Sequence, residues 1–196
     1  PMLIWIGSPR LVGSRLLFLD RDGVLNHDRP DYVKRYSEFV FYPDARNALR
    51  RLHLQGISVV VVSNQSGLNR GFIDRSDFWF MHQKMIETIR EAGGNLAAAF
   101  YCPHRPDEKC TCRKPAPGLL VAASRLCQVP LTSTCFVGDR PTDLQAAVSA
   151  GCRPIFLDRS LSGDFQSSRL DLPGHPLQIA NLETLESILQ SHVARL

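Results

Sequence analysis

The sequence predicts an α/β fold in which a doubly wound parallel sheet forms a single domain. From residue 16 onward, short apolar runs rich in branched residues alternate with helical stretches, as they do in strand–helix–strand units. A chain of 196 residues with 44% hydrophobic and 21% charged residues suits one domain that buries a sizeable core. Four predicted strands lead into polar segments, and doubly wound sheets bind their ligands at this edge.

The first half of the chain predicts three strands and two helices. The strand RLLFLD ends at Asp20, and the helix PDARNALRRLHLQG that follows has a proline at its start and a glycine at its end. The β-branched run ISVVVVSN suits a central strand that is buried on both faces. A second helix is expected over residues 74–94 and a third strand over 95–102.

The second half brings the sheet to about five parallel strands. We expect strands over residues 133–139 and 152–158, and helices over 117–127, 142–151 and 177–193. Serines, glycines and prolines predict a surface loop over 158–176. Residues 1–15 carry no motif, so we expect an N-terminal extension of unknown role before a domain over 16–196.

Composition argues against several classes of protein. The net charge of +4 comes from 23 basic and 19 acidic residues that are scattered, which is too weak a signal for a nucleic-acid partner. The apolar stretch from Met2 to Ile6 is shorter than the hydrophobic region of a signal peptide, and no run is long enough to span a membrane. We therefore expect a cytoplasmic monomer with a small-molecule partner, and neither a nucleic-acid nor a membrane partner.

Six cysteines in a reducing cytosol are expected to be free thiols or metal ligands. Cys127, Cys135 and Cys152 stand singly in apolar segments, which predicts small core residues. The other three lie with a histidine in the segment CPHRPDEKCTCRK, as Cys102, His104, Cys110 and Cys112. A Cys₃His set is known for structural zinc, although the one-residue gaps are tight, and Cys-Thr-Cys lacks the spacing of a redox dithiol. Spacing alone leaves open a metal site, a dithiol or an ordinary loop.

Two acidic residues flank Arg21 at the end of the first strand. In an extended chain the carboxylates of Asp20 and Asp22 would lie on the same side and repel each other. A turn before Gly23 in which one aspartate accepts backbone hydrogen bonds would offset this repulsion. A divalent cation would also offset it and would keep one carboxylate ionised as a nucleophile.

A third acid follows the strand STCFVGD. Thr142 and Gln145 form a capping-box pattern, which predicts Thr142 as the helix N-cap and places Asp143 favourably near the helix dipole. Asp139 is then free to bind an oxygen-seeking cation such as Mg²⁺ together with Asp20.

Groups that suit a phosphate follow the remaining two strands. Ser63 offers a hydroxyl with the backbone amides of Asn64 and Gln65 in the same turn, and Lys114 offers a positive charge in a loop before a proline. Alone, Ser63 would be interpreted as a cap and Lys114 as a surface lysine. The order acid pair, hydroxyl, lysine and acid, each after its own strand, favours a phosphate site.

The segments FLDRDGVLN, VVVVSNQSGLNRG, CRKPAPG and FVGDRPTDLQAA resemble the four motifs of the haloacid dehalogenase superfamily of phosphohydrolases. The residues in these segments are similar to those in the motifs of the heptose bisphosphate phosphatases and the histidinol-phosphate phosphatases. The resemblance implies a Rossmann-like sheet without a large cap domain, since sheet and helix fill the intervals between the motifs. It also implies that the Cys₃His set binds structural zinc and that the loop it folds positions Arg113 and Lys114.

The resemblance implies a role for each motif residue. Asp20 would attack phosphorus, Asp22 would act as general acid and base, and Ser63 and Lys114 would hold the phosphoryl oxygens. Mg²⁺ would be held by Asp20, by Asp139 and by the backbone carbonyl of Asp22. The substrate-binding residues would be Asp28, Tyr32, Ser63, Asn64, Gln65, Ser66, Arg113 and Lys114.

The substrate is inferred from two segments that point in different directions. The short interval between His104 and Cys110 resembles the histidinol-phosphate enzymes, whereas NHDRPDYVKRYSEFVFYPDA resembles the heptose enzymes. The second segment carries more weight because it would lie over the mouth of an uncapped pocket. We expect a Mg²⁺-dependent phosphomonoesterase that removes the C7 phosphate of D-glycero-D-manno-heptose 1,7-bisphosphate; the alternatives are histidinol-phosphate hydrolysis and transfer to an acceptor other than water.

Overall fold

The computed structural model describes residues 1–7, 15–162 and 176–193. Within these ranges seven strands form one sheet in the order β1-β4-β3-β2-β5-β6-β7. The strands are β1 (Leu3–Ile6), β2 (Arg15–Leu19), β3 (Ile57–Asn64), β4 (Ala98–Cys102), β5 (Cys135–Gly138), β6 (Arg153–Leu157) and β7 (Leu177–Ile179). Only β1 runs antiparallel to its neighbour in this sheet. The predicted doubly wound parallel sheet is confirmed.

Helices cover both faces of the sheet. They are α1 (Pro43–Leu54), α2 (Arg75–Glu91), α3 (Gly118–Cys127), α4 (Pro141–Ala150) and α5 (Leu185–Val193). The core on one face contains buried residues of α1, α2 and α5, and the core on the other contains those of α3 and α4. Alternate residues of the central strands serve the two cores: Val59 and Val61 face the first, and Val60 and Val62 face the second.

The strand count of about five was too low because both edge strands are short. The segment Leu3–Ile6, which lay in the predicted extension, pairs with β4, and its Leu3 and Trp5 pack against the first core. The segment Leu177–Ile179, predicted as helix, pairs with β6 instead, and helix α5 begins only at Leu185. Apolar runs this short carry no period that distinguishes strand from helix.

Three further expectations concern a loop, the single cysteines and membrane spans. Of the predicted loop over 158–176, residues 159–162 form a short 3₁₀ turn and residues 163–175 lie outside the described residues. Cys127 and Cys152 are buried as expected, whereas Cys135 is half-buried. None of the helices in the described ranges is long and apolar enough to cross a membrane.

Candidate active site

A cavity of about 330 Å³ opens at the carboxyl ends of the central strands. Residues from all four of the motif segments line it, because parallel strands end at the same edge of the sheet. The lining includes every residue that the sequence predicted to be catalytic or substrate-binding, namely Asp20, Asp22, Asp28, Tyr32, Ser63, Asn64, Gln65, Ser66, Arg113 and Lys114. The structure therefore brings these ten predicted residues together around one cavity.

Lys114 is a buried cation held between two carboxylates. Its Nζ lies 3.0 Å from Oδ2 of Asp20 and 2.7 Å from Oδ1 of Asp143, and it also donates to the carbonyl of Val62. Burial alone lowers the pKa of Lys114, but the charges of Asp143 and Asp20 outweigh it and raise the pKa. The lysine is therefore charged and fixed in position.

Three carboxylates meet beside this lysine. Ligand atoms of Asp20, Asp139 and Asp143 all lie within 4.8 Å of one another, and the buried Oδ1 of Asp139 has no hydrogen-bond partner among the described residues. Burial raises the pKa of Asp139 to about 8, and the charges of Asp20 and Asp143 contribute to this rise. The pKa of Asp20 is raised to about 6 by burial, against the lowering effect of Lys114. Lys114 alone does not balance the three acids, and their oxygen donors fit a divalent cation.

Asp143 is a site residue that the sequence interpretation missed. Helix α4 begins at Pro141, and its N-cap is Arg140 rather than Thr142. Asp143 accepts a hydrogen bond from the backbone N–H of Arg140 at 3.1 Å through one oxygen and contacts Lys114 through the other. A proline at the first helical position with an acid two residues later was the signal that could have indicated this cap.

Gly23 places the backbone of the first motif directly against the carboxylate of Asp139. Its φ is +84°, and a Cβ at this position would lie 2.0 Å from Oδ2 of Asp139. The backbone approaches the carboxylate too closely for any larger residue. Asp139 is not among the residues that line the cavity, and its carboxylate lies against Gly23 in the turn that follows Asp20 and Asp22.

Asp22 is held on both of its oxygens. Oδ1 accepts hydrogen bonds from Arg21 and from Asn26 Nδ2 at 2.9 Å, and Oδ2 accepts from Arg21 and from Gln65 Nε2 at 2.6 Å. Burial would raise the pKa of Asp22, but the charge of Arg21 and these hydrogen bonds lower it. Its carboxylate stands apart from the three-acid cluster.

The second motif places Ser63 in the cavity wall, with its Oγ 3.1 Å from Nε2 of Gln65. The expectation that the backbone amide of Gln65 is free for a phosphate is wrong, because this N–H donates to the carbonyl of Cys102 at 2.7 Å. The side chain of Asn64 makes two 3.1 Å hydrogen bonds to the backbone of Lys114. Asn64 therefore holds the loop that carries the lysine.

The thiols and the histidine form a compact cluster. The Sγ atom of Cys102 lies 3.4 Å from that of Cys112 and 3.6 Å from that of Cys110, and Nδ1 of His104 lies 3.2 Å from Sγ of Cys112. Thiolates at about 2.3 Å from a tetrahedral zinc would be about 3.8 Å apart, so these separations suit such a site. The cluster adjoins the cavity, since Arg113 Nη1 donates to the His104 carbonyl at 3.1 Å.

Charged and aromatic side chains lie at the cavity mouth. Arg140 forms an ion pair with Asp28, which joins the start of α4 to the segment after the first motif. Tyr32 adopts a positive φ of 68°, and its hydroxyl lies 3.4 Å from Oγ of Ser66. The ring of Phe72 lies 5.7 Å from that of Tyr32. The mouth therefore offers both charge and an apolar edge to a ligand.

The family model for haloacid dehalogenase-like hydrolases matches residues 5–151. The chain belongs to this family. The match includes all four motif segments, the three-acid cluster and the Cys₃His cluster, and it confirms the family that the motifs indicated.

Relatives within this family carry a more specific name. The chain is 41% identical over 143 residues to a D-glycero-beta-D-manno-heptose-1,7-bisphosphate 7-phosphatase of Pseudomonas putida. The matched region covers 73% of this chain and 82% of the relative. It is 43% identical over 140 residues to the enzyme of that name from Bordetella bronchiseptica, covering 71% and 78% respectively. A crystal structure of the D,D-heptose 1,7-bisphosphate phosphatase of B. bronchiseptica, complexed with magnesium and phosphate, superposes with a TM-score of 0.83. It is 37% identical and covers 90% of this chain and 99% of that one.

Proposed function

We propose that this member of the family is a Mg²⁺-dependent phosphoric monoester hydrolase that removes the C7 phosphate of D-glycero-β-D-manno-heptose 1,7-bisphosphate. The observation that carries the proposal is the contact between Asp20 and Lys114 in the wall of the cavity, in a chain with relatives of that name. A carboxylate and an ammonium group side by side supply a nucleophile and a phosphate-binding cation.

Asp20 attacks the phosphorus of the bound ester. Its Oδ1 accepts the backbone N–H of Arg21 at 2.7 Å and its Oδ2 contacts Lys114, so both oxygens are fixed before the substrate arrives. The new bond joins a carboxylate oxygen to phosphorus, and the bond to the leaving oxygen breaks. The electron pair of that bond stays with the sugar oxygen, which takes a proton from Asp22. Because the pKa of Asp22 is lowered in the free protein, Asp22 takes up this proton from solvent only when the negative charge of the bound phosphate lies beside it.

Water then hydrolyses the aspartyl-phosphate. Asp22, now a carboxylate, removes a proton from the water, whose oxygen attacks phosphorus while the bond to Asp20 breaks. Inorganic phosphate leaves, and both aspartates return to their starting states. Ser63 Oγ and Lys114 Nζ hold the phosphoryl oxygens through both steps, the lysine by a charge-assisted hydrogen bond.

The acidic cluster would hold the Mg²⁺ ion. Asp20 and Asp139 supply carboxylates, since Oδ1 of Asp139 is buried and unpaired, and the backbone carbonyl of Asp22 supplies a third oxygen. Asp143 is already paired with Lys114 at 2.7 Å, so it serves the lysine. When bound, the ion supplies positive charge that neutralises the phosphoryl oxygens.

Zinc would occupy the Cys₃His cluster in a structural role. Four protein ligands leave no open position for water or substrate. The cluster is joined to the cavity by the contact of Arg113 with the His104 carbonyl and by the contact of the Gln65 amide with the Cys102 carbonyl. The loop it folds therefore sets the position of Arg113 and Lys114. We also propose that the protein is a monomer in the cytoplasm, where reducing conditions keep the thiols available for zinc.

The cavity mouth favours a substrate with two phosphates. Arg29, Arg113 and Arg140 line it, and a second phosphate could make charge-assisted bonds there that the cationic amine of histidinol phosphate cannot make. The test is phosphate release from both compounds with and without Mg²⁺. We expect a higher kcat/KM for the heptose bisphosphate and no turnover without the ion. An equal or higher kcat/KM for histidinol phosphate would transfer the proposal to that substrate.

A further inference from the structure

Arg21 is a buried cation for which the reaction above has no use. The residue is 2% exposed, and its guanidinium lies 5.7 Å from the ring centroid of Phe39 and 6.0 Å from that of Phe78. A guanidinium withdrawn from water is costly unless it is paired and hydrogen-bonded. Its side-chain hydrogen bonds in the described residues all go to Asp22 and Gln65. The location of these partners indicates what the buried charge is for.

The guanidinium contacts both oxygens of Asp22. Nη2 lies 2.9 Å from Oδ1 and 2.9 Å from Oδ2, and Nε lies 3.2 Å from Oδ1. Because the guanidinium is planar and contacts both oxygens, it defines the orientation of the carboxylate as well as its location. Asn26 Nδ2 adds one further contact to Oδ1, and this single contact fixes the location of that oxygen but not the plane of the carboxylate.

Gln65 extends the arrangement to the phosphate-binding hydroxyl. Its Oε1 accepts from Arg21 Nη2 at 3.0 Å, and its Nε2 donates to Asp22 Oδ2 at 2.6 Å and to Ser63 Oγ at 3.1 Å. The four side chains form one continuous network, in which only Asp22 is partly exposed and moving the guanidinium would displace the carboxylate and the amide together. The acid/base residue and the hydroxyl are thereby held in a fixed relation.

We propose that Arg21 is a positioning residue, which aims the carboxylate of Asp22 at the leaving oxygen and acts together with Gln65. This inference rests on the proposed role of Asp22. Proton transfer in the first step needs the carboxyl group within hydrogen-bond distance of the sugar oxygen, and a misdirected group loses most of that assistance. Arg21 itself touches neither the phosphoryl group nor the leaving oxygen in this scheme.

The consequence is a dependence on the leaving group. In the first step a sugar alkoxide leaves only with a proton, whereas p-nitrophenolate leaves without one. Misplacing Asp22 should therefore slow formation of the aspartyl-phosphate from alkyl phosphates and spare its formation from p-nitrophenyl phosphate. Loss of general stability or of phosphate binding would lower both rates alike. The ratio of the two rates therefore separates positioning from a merely structural role.

The experiment compares kcat/KM for p-nitrophenyl phosphate with kcat/KM for whichever alkyl phosphate the parent hydrolyses, heptose bisphosphate or histidinol phosphate. The comparison uses kcat/KM because this quantity reports formation of the aspartyl-phosphate and not its later hydrolysis. In Arg21→Met we expect the alkyl rate to fall about 10²-fold and the aryl rate to fall less than about tenfold. Arg21→Lys, which keeps the charge and loses the fork, should give a smaller change in the same direction. Leu49→Ala, which removes a buried side chain of α1 that does not line the cavity, controls for a general loss of stability and should leave the ratio unchanged. A proportional fall of both rates in Arg21→Met would overturn the proposal.

A double-mutant cycle tests whether the effect passes through Asp22. If it does, adding Arg21→Met to Asp22→Asn should leave the alkyl-to-aryl ratio of Asp22→Asn unchanged, and a further decrease would refute the proposed coupling. If Arg21→Met does not fold, Gln65→Leu removes the second anchor and should shift the ratio in the same sense.

A structural measurement separates failure of this inference from failure of the proposed function. In a crystal structure of Arg21→Met, or of Arg21→Lys if the first does not fold, we expect the Asp22 carboxylate to turn and lose its contact with Gln65. A carboxylate that stays in place would overturn the positioning role whether or not the parent hydrolyses any of the phosphates. Absence of turnover in the parent would refute the proposed function alone.

Discussion

Lys114 Nζ lies 3.0 Å from Oδ2 of Asp20, although the two residues follow different strands of the sheet. The contact is buried, so the attraction between the two charges is weakly screened by solvent. It places a phosphate-binding cation beside the proposed nucleophile before any substrate binds. The contact also makes each residue depend on the other for its charge state.

Asp20→Asn should abolish turnover and leave the fold intact. The amide has the same shape as the carboxylate, but it is neither charged nor nucleophilic, so we expect phosphate release to fall by more than about 10³-fold. Asp77→Asn is the matched control, because Asp77 is an exposed acid of α2 that does not line the cavity. A parent-like circular dichroism spectrum would confirm folding, and phosphate release within about tenfold of the parent would contradict the role.

Asp143→Asn should impair both stability and turnover. The substitution removes one of the two charges that hold the buried Lys114, and breaking such a pair costs about 3 kcal/mol. We expect a lower urea midpoint and a weaker affinity for inorganic phosphate, measured by calorimetry. Asp107→Asn, which breaks the exposed pair with Arg105, should change neither quantity. If the Asp143 variant binds phosphate as tightly as the parent, the lysine does not need this partner.

The sequence predicted correctly the strands whose own residues show a clear pattern, and it missed the short strands at the edges of the sheet. The β-branched run of β3 and the polar residues after it were identified correctly, because a strand buried on both faces needs such a run. Strands β1 and β7 were missed because they are only four and three residues long. They are stabilised by pairing with β4 and β6 rather than by a pattern in their own sequence. The edges of the sheet were therefore beyond what periodicity can show.

The same distinction applies to the site. Motif order located Asp20, Ser63 and Lys114 in one cavity, because each follows its own parallel strand. The role of Asp143 depends on its contact with Lys114 across the sheet, and the helix-dipole interpretation could not reveal that contact. The sequence predicted no role for Arg21, since its burial depends on Phe39 and Phe78 from distant segments.

Cys110→Ser should remove the zinc and weaken catalysis without unfolding the domain. The parent should contain one zinc per chain by metal analysis, and the variant should contain little, because a hydroxyl is a poor zinc ligand. Since Arg113 contacts the carbonyl of His104, we expect kcat/KM to fall about 10²-fold through displacement of the loop. Cys135→Ser, which lies outside the cluster, should keep its zinc. Parent protein purified without chelator and lacking zinc would refute the assignment.

The stability of the protein without added Mg²⁺ should fall as the pH rises through the neutral range. Burial and the neighbouring acids raise the pKa of Asp139 from its ordinary 3.8 to about 8, so the folded protein binds this proton more tightly than the unfolded chain does. For a group whose pKa is raised on folding, the stabilisation is complete below the unfolded pKa and is lost between about pH 4 and about pH 8. Mg²⁺ would take the place of the proton, and its stabilising effect should therefore increase with pH over the same range.

The measurement is the free energy of unfolding in urea at about pH 5.5 and about pH 8, with and without Mg²⁺, for the parent and for Asp139→Asn. Other groups titrate in this range, so the informative quantity is the difference between the two proteins. Because the amide does not titrate, we expect the parent to lose more stability than the variant on going to the higher pH without Mg²⁺. At the higher pH the ion should stabilise the parent more than the variant, because the variant lacks one ligand. Equal pH dependence in the two proteins would show that Asp139 is not the protonated acid of the cluster.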